Sequence, residues 1–188
     1  MLRPTRPMTT HVALLRAINV GGHTPVPMGA LRGFLADLGF SDVRSVVQSG
    51  NLVFRAESAG GEELERLLER EAPLRLGLQT DFFVRTSEEW AEIIAQNPFP
   101  TEATRDPSHL VVMVCEESLA SSRVDALRAA VPGPEVIHAA GRHAYITYPN
   151  GIGRSRLSGV LIEKTLGTRG TARNWNTVLK LGTLAACR

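Results

Sequence analysis

The segment VRSVVQSGNLVFR, residues 43–55, decides the fold. Two apolar stretches flank Gln48-Ser49-Gly50-Asn51, and Gly50 can take the positive φ that a tight turn requires. The segment therefore predicts a β-hairpin, with one strand at residues 43–47 and the next at residues 52–55.

The residues around this hairpin extend the pattern in both directions. Residues 11–18 are an apolar run typical of a strand, and a helix is predicted between Pro27 and Gly39, where apolar residues recur at helical spacing. After the hairpin, residues 61–71 are predicted to be helical and residues 80–85 to form a strand. The order β-α-β-β-α-β predicts a ferredoxin-like subdomain, with a four-stranded antiparallel sheet and both helices on one face.

The second half repeats this pattern loosely. Ser87 is predicted to cap a helix that carries Trp90, Ile93 and Ile94. The predicted strands that follow are residues 109–115, 135–139 and 143–148, the last two paired as a hairpin around Gly141. The further predicted helices are residues 122–131, 159–166 and about 172–185. We therefore predict an α+β protein of two packed α+β subdomains, the second with the order β-α-β-β-α plus a C-terminal helix. The predicted bounds are residues 1–8 for a disordered lead, 9–86 for the ferredoxin-like subdomain and 87–188 for the second subdomain.

Composition limits the classes to which the protein can belong. With 43% hydrophobic and 21% charged residues, the 188-residue chain is predicted to be globular and not disordered. The longest apolar run, residues 110–115, is too short for a membrane span, and the N-terminal residues lack the apolar core of a secretory signal. We expect a soluble cytoplasmic protein that does not contact membranes.

Metal and disulfide chemistry have little support in the sequence. The chain contains two cysteines and five histidines, and none of them has the spacing of a known metal site. We therefore predict no metal site, and the sequence names no cofactor.

Charge is distributed unevenly along the chain. Residues 1–140 carry 13 basic and 18 acidic residues (13 − 18 = −5), whereas residues 141–188 carry 8 and 1 (8 − 1 = +7). An anion or a polyanion that meets the C-terminal quarter would explain this asymmetry. Attraction between the two parts of the folded chain is the alternative.

The strongest candidate site is residues 168–175. Thr171 is predicted to cap the last helix, which places Arg169 and Arg173 at the positive end of its dipole together with Asn174. Two arginines at that end are favourable if they share an anion. The anion would be a ligand phosphate or carboxylate, or an acidic side chain of the protein itself, and the remaining alternative is that the arginines are exposed without a partner.

A second candidate lies in the glycine-containing stretch at residues 151–156. Gly151 and Gly153 expose backbone N–H groups beside Arg154, Ser155 and Arg156, which would suit a phosphate. The dinucleotide-binding fingerprint fails here because it needs a glycine where Arg156 stands. A plain turn with solvated arginines is the alternative.

Further candidates lie near the end of the first predicted strand, just after it, and in the hairpin turn. Arg16 interrupts an apolar run and must reach a partner or the solvent, so it is expected either to contact a ligand or to pair with an acidic residue. The other candidates are polar or glycine residues that either orient a ligand or satisfy the turn backbone: Asn19, Gly21, Gly22, Ser49 and Asn51.

Four motifs in this order resemble those of the bacterial domain-of-unknown-function family 1697. They are LRAINVGG at residues 15–22, QSGN at residues 48–51, PNGIGRS at residues 149–155 and TARNWNT at residues 171–177. The resemblance covers residues 11–184 and implies a two-part α+β protein whose first part is ferredoxin-like, without an established activity. Arg156 stands where many relatives carry lysine, which preserves the charge and alters only the geometry of an anion contact.

We predict that the protein binds a small anionic or phosphorylated ligand between its subdomains. The alternatives are a nucleic-acid-binding protein that uses the basic C-terminal quarter, and an interaction module without a ligand. No general base or nucleophile is identified, so the sequence assigns no enzymatic activity. The predicted binding residues are Arg16, Asn19, Gly21, Gly22, Ser49, Asn51, Gly151, Gly153, Arg154, Ser155, Arg156, Arg169, Thr171, Arg173 and Asn174.

Overall fold

The structure, a computed structural model, describes residues 7–16, 26–47, 50–57 and 60–187. These residues form eight strands and seven α-helices, which confirms the predicted α+β class. The chain divides into two compact units, one containing the described residues up to Glu92 together with those from Lys180 onward, the other Ile93–Leu179. Most of the predicted N-terminal lead lies outside the described residues, and Met8 is the first residue of the first strand.

The first unit contains the six elements expected from the hairpin outward. They are β1 (Met8–Leu15), α1 (Met28–Asp37), β2 (Ser41–Ser45), β3 (Asn51–Glu57), α2 (Gly61–Leu76) and β4 (Phe82–Thr86). The sheet is antiparallel with the strand order β2-β3-β1-β4. The order of elements along the chain is therefore the predicted one, and Gly50 has the expected positive φ of 70°.

One face of this sheet packs against α1 and α2. Leu15 and Phe54 of the sheet join Leu35 of α1 and Leu68 of α2 in a single cluster, and each of these side chains is at most 1% exposed. The cluster members of one element recur at its own period, every two residues in β1 (Ala13 and Leu15) and every four in α2 (Leu64, Leu68 and Ala72). The apolar periodicity that predicts the elements thus also forms the core.

The free edge of β4 is covered by carboxylates from α2. Glu65 accepts a hydrogen bond from the Val84 N–H at 2.8 Å, and Glu69 accepts one from the Phe82 N–H at 3.0 Å. Glu65 also forms a buried ion pair with Arg85 at 3.2 Å. An edge strand that exposes N–H groups is a site for unwanted strand pairing, and these contacts remove that hazard.

The remaining elements follow in the expected order with two additions. They are α3 (Ser87–Ala95), α4 (Pro100–Arg105), β5 (Leu110–Cys115), α5 (Ser121–Ala130), β6 (Val136–Ala140), β7 (His143–Thr147), a 3₁₀ turn (Ile152–Arg154), α6 (Gly159–Leu166), β8 (Gly170–Asn174) and α7 (Trp175–Ala186). The sheet of the second unit is antiparallel with the order β6-β7-β5-β8. Helix α4 and strand β8 are the additions.

The start of the C-terminal helix was predicted wrongly. Residues 170–174 form β8, which pairs with β5 so that Thr171 lies opposite Val114 and Arg173 opposite Val112. The helix begins three residues later than predicted, and its cap is Asn174, whose Oδ1 accepts from the Thr177 N–H at 3.0 Å. Thr171 therefore caps no helix.

A similar shift of one residue occurs at α3. The residue that caps this helix is Thr86 and not the predicted Ser87, since Thr86 Oγ1 accepts from the Glu89 N–H at 3.1 Å. The Glu89 carboxylate in turn accepts from the Thr86 N–H at 2.7 Å, which completes a capping box. In both cases the last residue of a strand serves as the cap of the helix that follows it.

The replacement Asn174→Ala is expected to lower the free energy of unfolding by about 1 kcal/mol, because it removes the acceptor of the first helical turn. Chemical denaturation followed by circular dichroism measures this loss. Asn176→Ala, at an exposed position in the same turn, is the control and is expected to change the free energy by less than about 0.5 kcal/mol. Equal losses in the two variants would contradict the assignment of the cap.

Candidate functional site

The loop that follows β7 is held against the segment that precedes β5. The Tyr148 N–H donates to the His109 carbonyl at 2.8 Å, and the Gly151 N–H donates to the Tyr148 carbonyl at 2.9 Å. Gly151 has a φ of 87°, and a Cβ placed on it would lie 3.4 Å from His109 Nε2. A side chain at this position would be strained, so glycine is needed both for the turn and for the close approach to the imidazole.

Ser155 ends the 3₁₀ turn of this loop and is held by two hydrogen bonds. Its hydroxyl donates to the Glu135 carboxylate, and its oxygen accepts from the Leu157 N–H at 3.0 Å. The second carboxylate oxygen of Glu135, Oε2, is buried and has no hydrogen-bond partner among the described residues. The pair therefore keeps one serine lone pair and one carboxylate oxygen that the described part of the chain does not use.

Tyr148 lies in the hydrophobic core beside this pair. Burial, and secondly the negative charge of Glu135, raise the pKa of the Tyr148 phenol to about 12. The phenol is therefore protonated and neutral at physiological pH. Its side chain belongs to the hydrophobic core cluster that also contains Leu157, and it adds no charge there.

Arg154 and Arg156, on either side of Ser155, are exposed. Neither forms an ion pair with a carboxylate of the described residues, and the one hydrogen bond is a long contact of 3.5 Å from Arg156 Nη2 to the Pro132 carbonyl. Two guanidinium groups thus stand at one loop without a described counter-ion. The loop formed by residues 151–156, with Glu135 beneath it, is hereafter called the RSR loop.

An Asp–His pair lies next to the RSR loop. His109 Nδ1 is 2.6 Å from the Asp106 carboxylate. A hydrogen bond from the Ser108 hydroxyl, followed by smaller contributions from His109, holds the pKa of Asp106 below its usual value. The imidazole of this pair is the one that lies next to Gly151.

Arg169 lies at the opposite end of β8 from this loop. Its guanidinium forms two hydrogen bonds with the Glu116 carboxylate, at 2.9 and 2.7 Å, and these lower the pKa of Glu116. Arg142 adds a bond of 2.9 Å from its Nε to the Glu116 carbonyl. The Asn174 end of β8 is near the RSR loop, since the Trp175 N–H donates to the Pro107 carbonyl, so the length of β8 separates Arg169 from that loop.

Arg173 and Thr171 lie together on one face of β8. Arg173 Nη1 donates to Thr171 Oγ1 and to the Ala172 carbonyl, both at 2.8 Å. Burial lowers the pKa of Arg173 to about 10, which still leaves the guanidinium charged at neutral pH. Asn174, the last residue of β8, caps α7 as described above.

Arg16 belongs to the first unit, where it forms an ion pair with Asp81 at 3.1 Å. Its neighbour Leu15 donates its N–H to the Gly50 carbonyl at 2.9 Å, which joins the first residue of the LRAINVGG motif to the glycine of the QSGN motif. Asn51 is fully buried, and its side-chain amide donates to the Val46 carbonyl at 3.0 Å. Four further predicted binding residues lie outside the described residues: Asn19, Gly21, Gly22 and Ser49.

Glu135 is the important residue that sequence reasoning did not select. Strands β6 and β7 pair with Val136 opposite Thr147, so the next position along brings Glu135 opposite Tyr148, immediately before the RSR loop. The predicted hairpin around Gly141 contained this signal. Within the described residues there is no group of three or more histidine, cysteine, aspartate or glutamate side chains suited to a metal ion.

No helix in the described part of the chain is long and apolar enough to cross a membrane. No curated protein matches the sequence. Among solved structures, the chain is similar to the conserved bacterial protein SP0830 from Streptococcus pneumoniae, with a TM-score of 0.72 and 24% sequence identity over 95% of this chain and 99% of that one. At this identity the similarity concerns the fold alone.

The family model for proteins of unknown function DUF1697 matches residues 8–145, which is well over half of the chain and includes the LRAINVGG and QSGN motifs. The motif-based resemblance is thereby confirmed, and the chain belongs to the DUF1697 family.

Proposed function

We propose that this protein binds a small phosphorylated or otherwise anionic ligand at the RSR loop. The observation that carries the proposal is the contrast among the predicted arginines. Arg16 and Arg169 each have a carboxylate partner, whereas Arg154 and Arg156 are exposed and have none among the described residues. A ligand anion would supply the counter-charge that these two side chains lack.

The chemistry of the loop suits a phosphate. Guanidinium groups bind phosphate oxygens with two parallel hydrogen bonds, and charge-assisted bonds of this kind are stronger than neutral ones. Gly153 is exposed and lacks a side chain, so it leaves room above the loop backbone. The net charge of +7 over residues 141–188 favours the approach of an anion to this part of the chain.

For the predicted residues outside the RSR loop, a contact with the ligand remains a prediction. Arg173, Thr171 and Asn174 make hydrogen bonds within the second unit, and Arg16 and Asn51 do so within the first. These contacts are compatible with a structural role at each position. The proposal therefore depends on Gly151, Gly153, Arg154, Ser155 and Arg156.

The double replacement Arg154→Gln with Arg156→Gln is expected to weaken phosphate binding roughly a hundredfold. Each charge-assisted hydrogen bond contributes about 1.5 kcal/mol, which is about tenfold in affinity for each arginine. Calorimetric titration with inorganic phosphate, a sugar phosphate and a nucleoside monophosphate measures the change and identifies the ligand class.

A matched variant separates a specific site from general electrostatics. Arg66→Gln with Lys164→Gln also removes two positive charges, but from exposed positions on α2 and α6. It is expected to bind phosphate compounds as the unmodified protein does. Equal weakening in both double variants would overturn the proposal.

The same variants test the nucleic-acid alternative. A short RNA that bound with an affinity falling steeply with salt, and equally in both double variants, would indicate a diffuse basic surface. Failure of every phosphorylated compound to bind the unmodified protein would also contradict the proposal.

A further inference from the structure

We propose that Ser155 accepts a phosphoryl group from an acyl phosphate, with Glu135 as the base. This inference rests on the proposed function, because Arg154 and Arg156 would hold the phosphoryl group that is transferred. It goes further by assigning a covalent step to the serine between them.

The hydroxyl of Ser155 is oriented for this step. A hydroxyl has one proton and two lone pairs. In Ser155 the proton points to the Glu135 carboxylate, and one lone pair accepts from the Leu157 N–H. The remaining lone pair has no partner among the described residues and is the electron pair that would attack phosphorus.

Glu135 has the chemistry of the base. A carboxylate that accepts the hydroxyl proton is the usual base where a hydroxyl group receives a phosphoryl group. Glu135 Oε1 already accepts the Ser155 proton, and the buried Oε2 has no described partner that would compete for the charge. Glu135 is held in this position by the pairing of β6 with β7.

The arginines on both sides of Ser155 complete the arrangement. In phosphoryl transfer, negative charge spreads over the non-bridging oxygens, and arginine side chains stabilise that charge. Arg154 and Arg156 are adjacent to Ser155 in the chain, are exposed, and form no ion pair in the described structure. No ion pair of the described residues would therefore have to break for these side chains to turn towards a group bound at Ser155 Oγ.

The step balances as follows. Ser155 Oγ attacks the phosphorus of the acyl phosphate, and the Oγ–P bond forms while the P–O bond to the acyl group breaks. The acyl carboxylate leaves with the electron pair of that bond. The serine proton passes to Glu135, which releases it to water. The products are phosphoserine at position 155 and a free carboxylate.

Incubation of the full chain with acetyl phosphate, followed by intact-mass measurement and peptide mapping, tests the inference. The unmodified protein is expected to gain one phosphoryl group on the peptide that contains Ser155. Ser155→Ala is expected to gain none. Glu135→Gln keeps an oxygen acceptor for the serine hydroxyl, so the fold is expected to persist while transfer slows about a hundredfold.

Ser158→Ala provides the control for a nearby serine. Ser158 is exposed and caps α6 by accepting from the Leu161 N–H, so it has no place in the proposed reaction. This variant is expected to be modified at Ser155 as fast as the unmodified protein.

Modification that persists in Ser155→Ala, or an unchanged rate in Glu135→Gln, would overturn the inference. Phosphate binding that depends on Arg154 and Arg156 without any covalent transfer would also overturn it, and the proposed binding function would then stand. If the unmodified protein neither bound the phosphate compounds nor accepted a phosphoryl group, both proposals would be contradicted.

Discussion

Replacement of Glu65 by alanine is expected to lower the free energy of unfolding by about 3–5 kcal/mol, the cost of leaving a buried charge unpaired. Arg85 is 4% exposed at its side chain and Glu65 is 9% exposed, so little solvent reaches the guanidinium once the carboxylate is gone. The Val84 N–H loses its acceptor in the same variant. Urea denaturation followed by tryptophan fluorescence and circular dichroism measures the loss.

Two further variants show which contact is responsible. Glu65→Gln keeps an oxygen for the Val84 N–H but removes the charge, so its stability is expected to fall between those of Glu65→Ala and the unmodified protein. Glu63→Ala removes an exposed carboxylate from the first turn of the same helix and is expected to cost about 0.3–1 kcal/mol. A loss in Glu65→Ala no larger than that in Glu63→Ala would contradict the structural role of the buried pair.

The second unit protects its edge strand by the same means. Glu163 of α6 accepts from the Gly170 N–H at 3.0 Å at the start of β8, as Glu65 of α2 accepts from Val84 in β4. In each unit the helix that precedes the fourth strand therefore carries the carboxylate, and a backbone N–H of that strand donates to it. Each fourth strand is then followed directly by a helix that its last residue caps.

The ion pairs of Arg16 and Arg169 occupy equivalent positions in the two units. The Arg16 N–H donates to the Asp81 carbonyl at 3.1 Å, and the Glu116 N–H donates to the Arg169 carbonyl at 3.0 Å. The side chains of both residue pairs also form ion pairs, with the positions of the arginine and the carboxylate exchanged. Each pair joins the end of the first strand of its unit to the residue that precedes the fourth strand, so a structural role explains both arginines.

The first unit was predictable because its signals are local. The glycine at position 50 and the apolar spacing in the flanking stretches are properties of short segments, and they determine which element each segment forms. Strand β8 was not predictable in this way. Residues 172–174 are compatible with a helix, and they form a strand because β5, which is distant in sequence, pairs with them.

The candidate site also combines residues of one short segment with partners that are distant in sequence. Gly151, Arg154, Ser155 and Arg156 stand in one short segment, so their composition alone drew attention to the loop. The partner of Ser155 is 20 residues away, and the partners of Arg16 and Arg169 are 65 and 53 residues away. Sequence reasoning left the choice between an internal partner and a ligand open for these arginines, because only the pairing of strands decides which carboxylates lie beside them.

Replacement of Gly61 by alanine is expected to lower the free energy of unfolding by about 1–3 kcal/mol, the cost of inserting a methyl group into a packed contact. A Cβ at this position would lie 2.7 Å from the Val84 carbonyl oxygen, which belongs to strand backbone and has little freedom to move. The same oxygen accepts from Arg85 Nη1 at 2.8 Å, so displacement of α2 also disturbs the buried ion pair. Urea denaturation measures the change.

A glycine in an open environment provides the opposite expectation. Gly33 lies within α1, is exposed, and has no described atom outside its own stretch of helix within 4 Å of the position that a Cβ would take. Gly33→Ala is therefore expected to raise the free energy of unfolding by about 0.5–1 kcal/mol, the ordinary preference of a helix for alanine. If Gly61→Ala stabilised the protein as Gly33→Ala is expected to do, α2 would not pack directly on the β4 backbone, and the mechanism by which Glu65 covers that edge would be wrong as well.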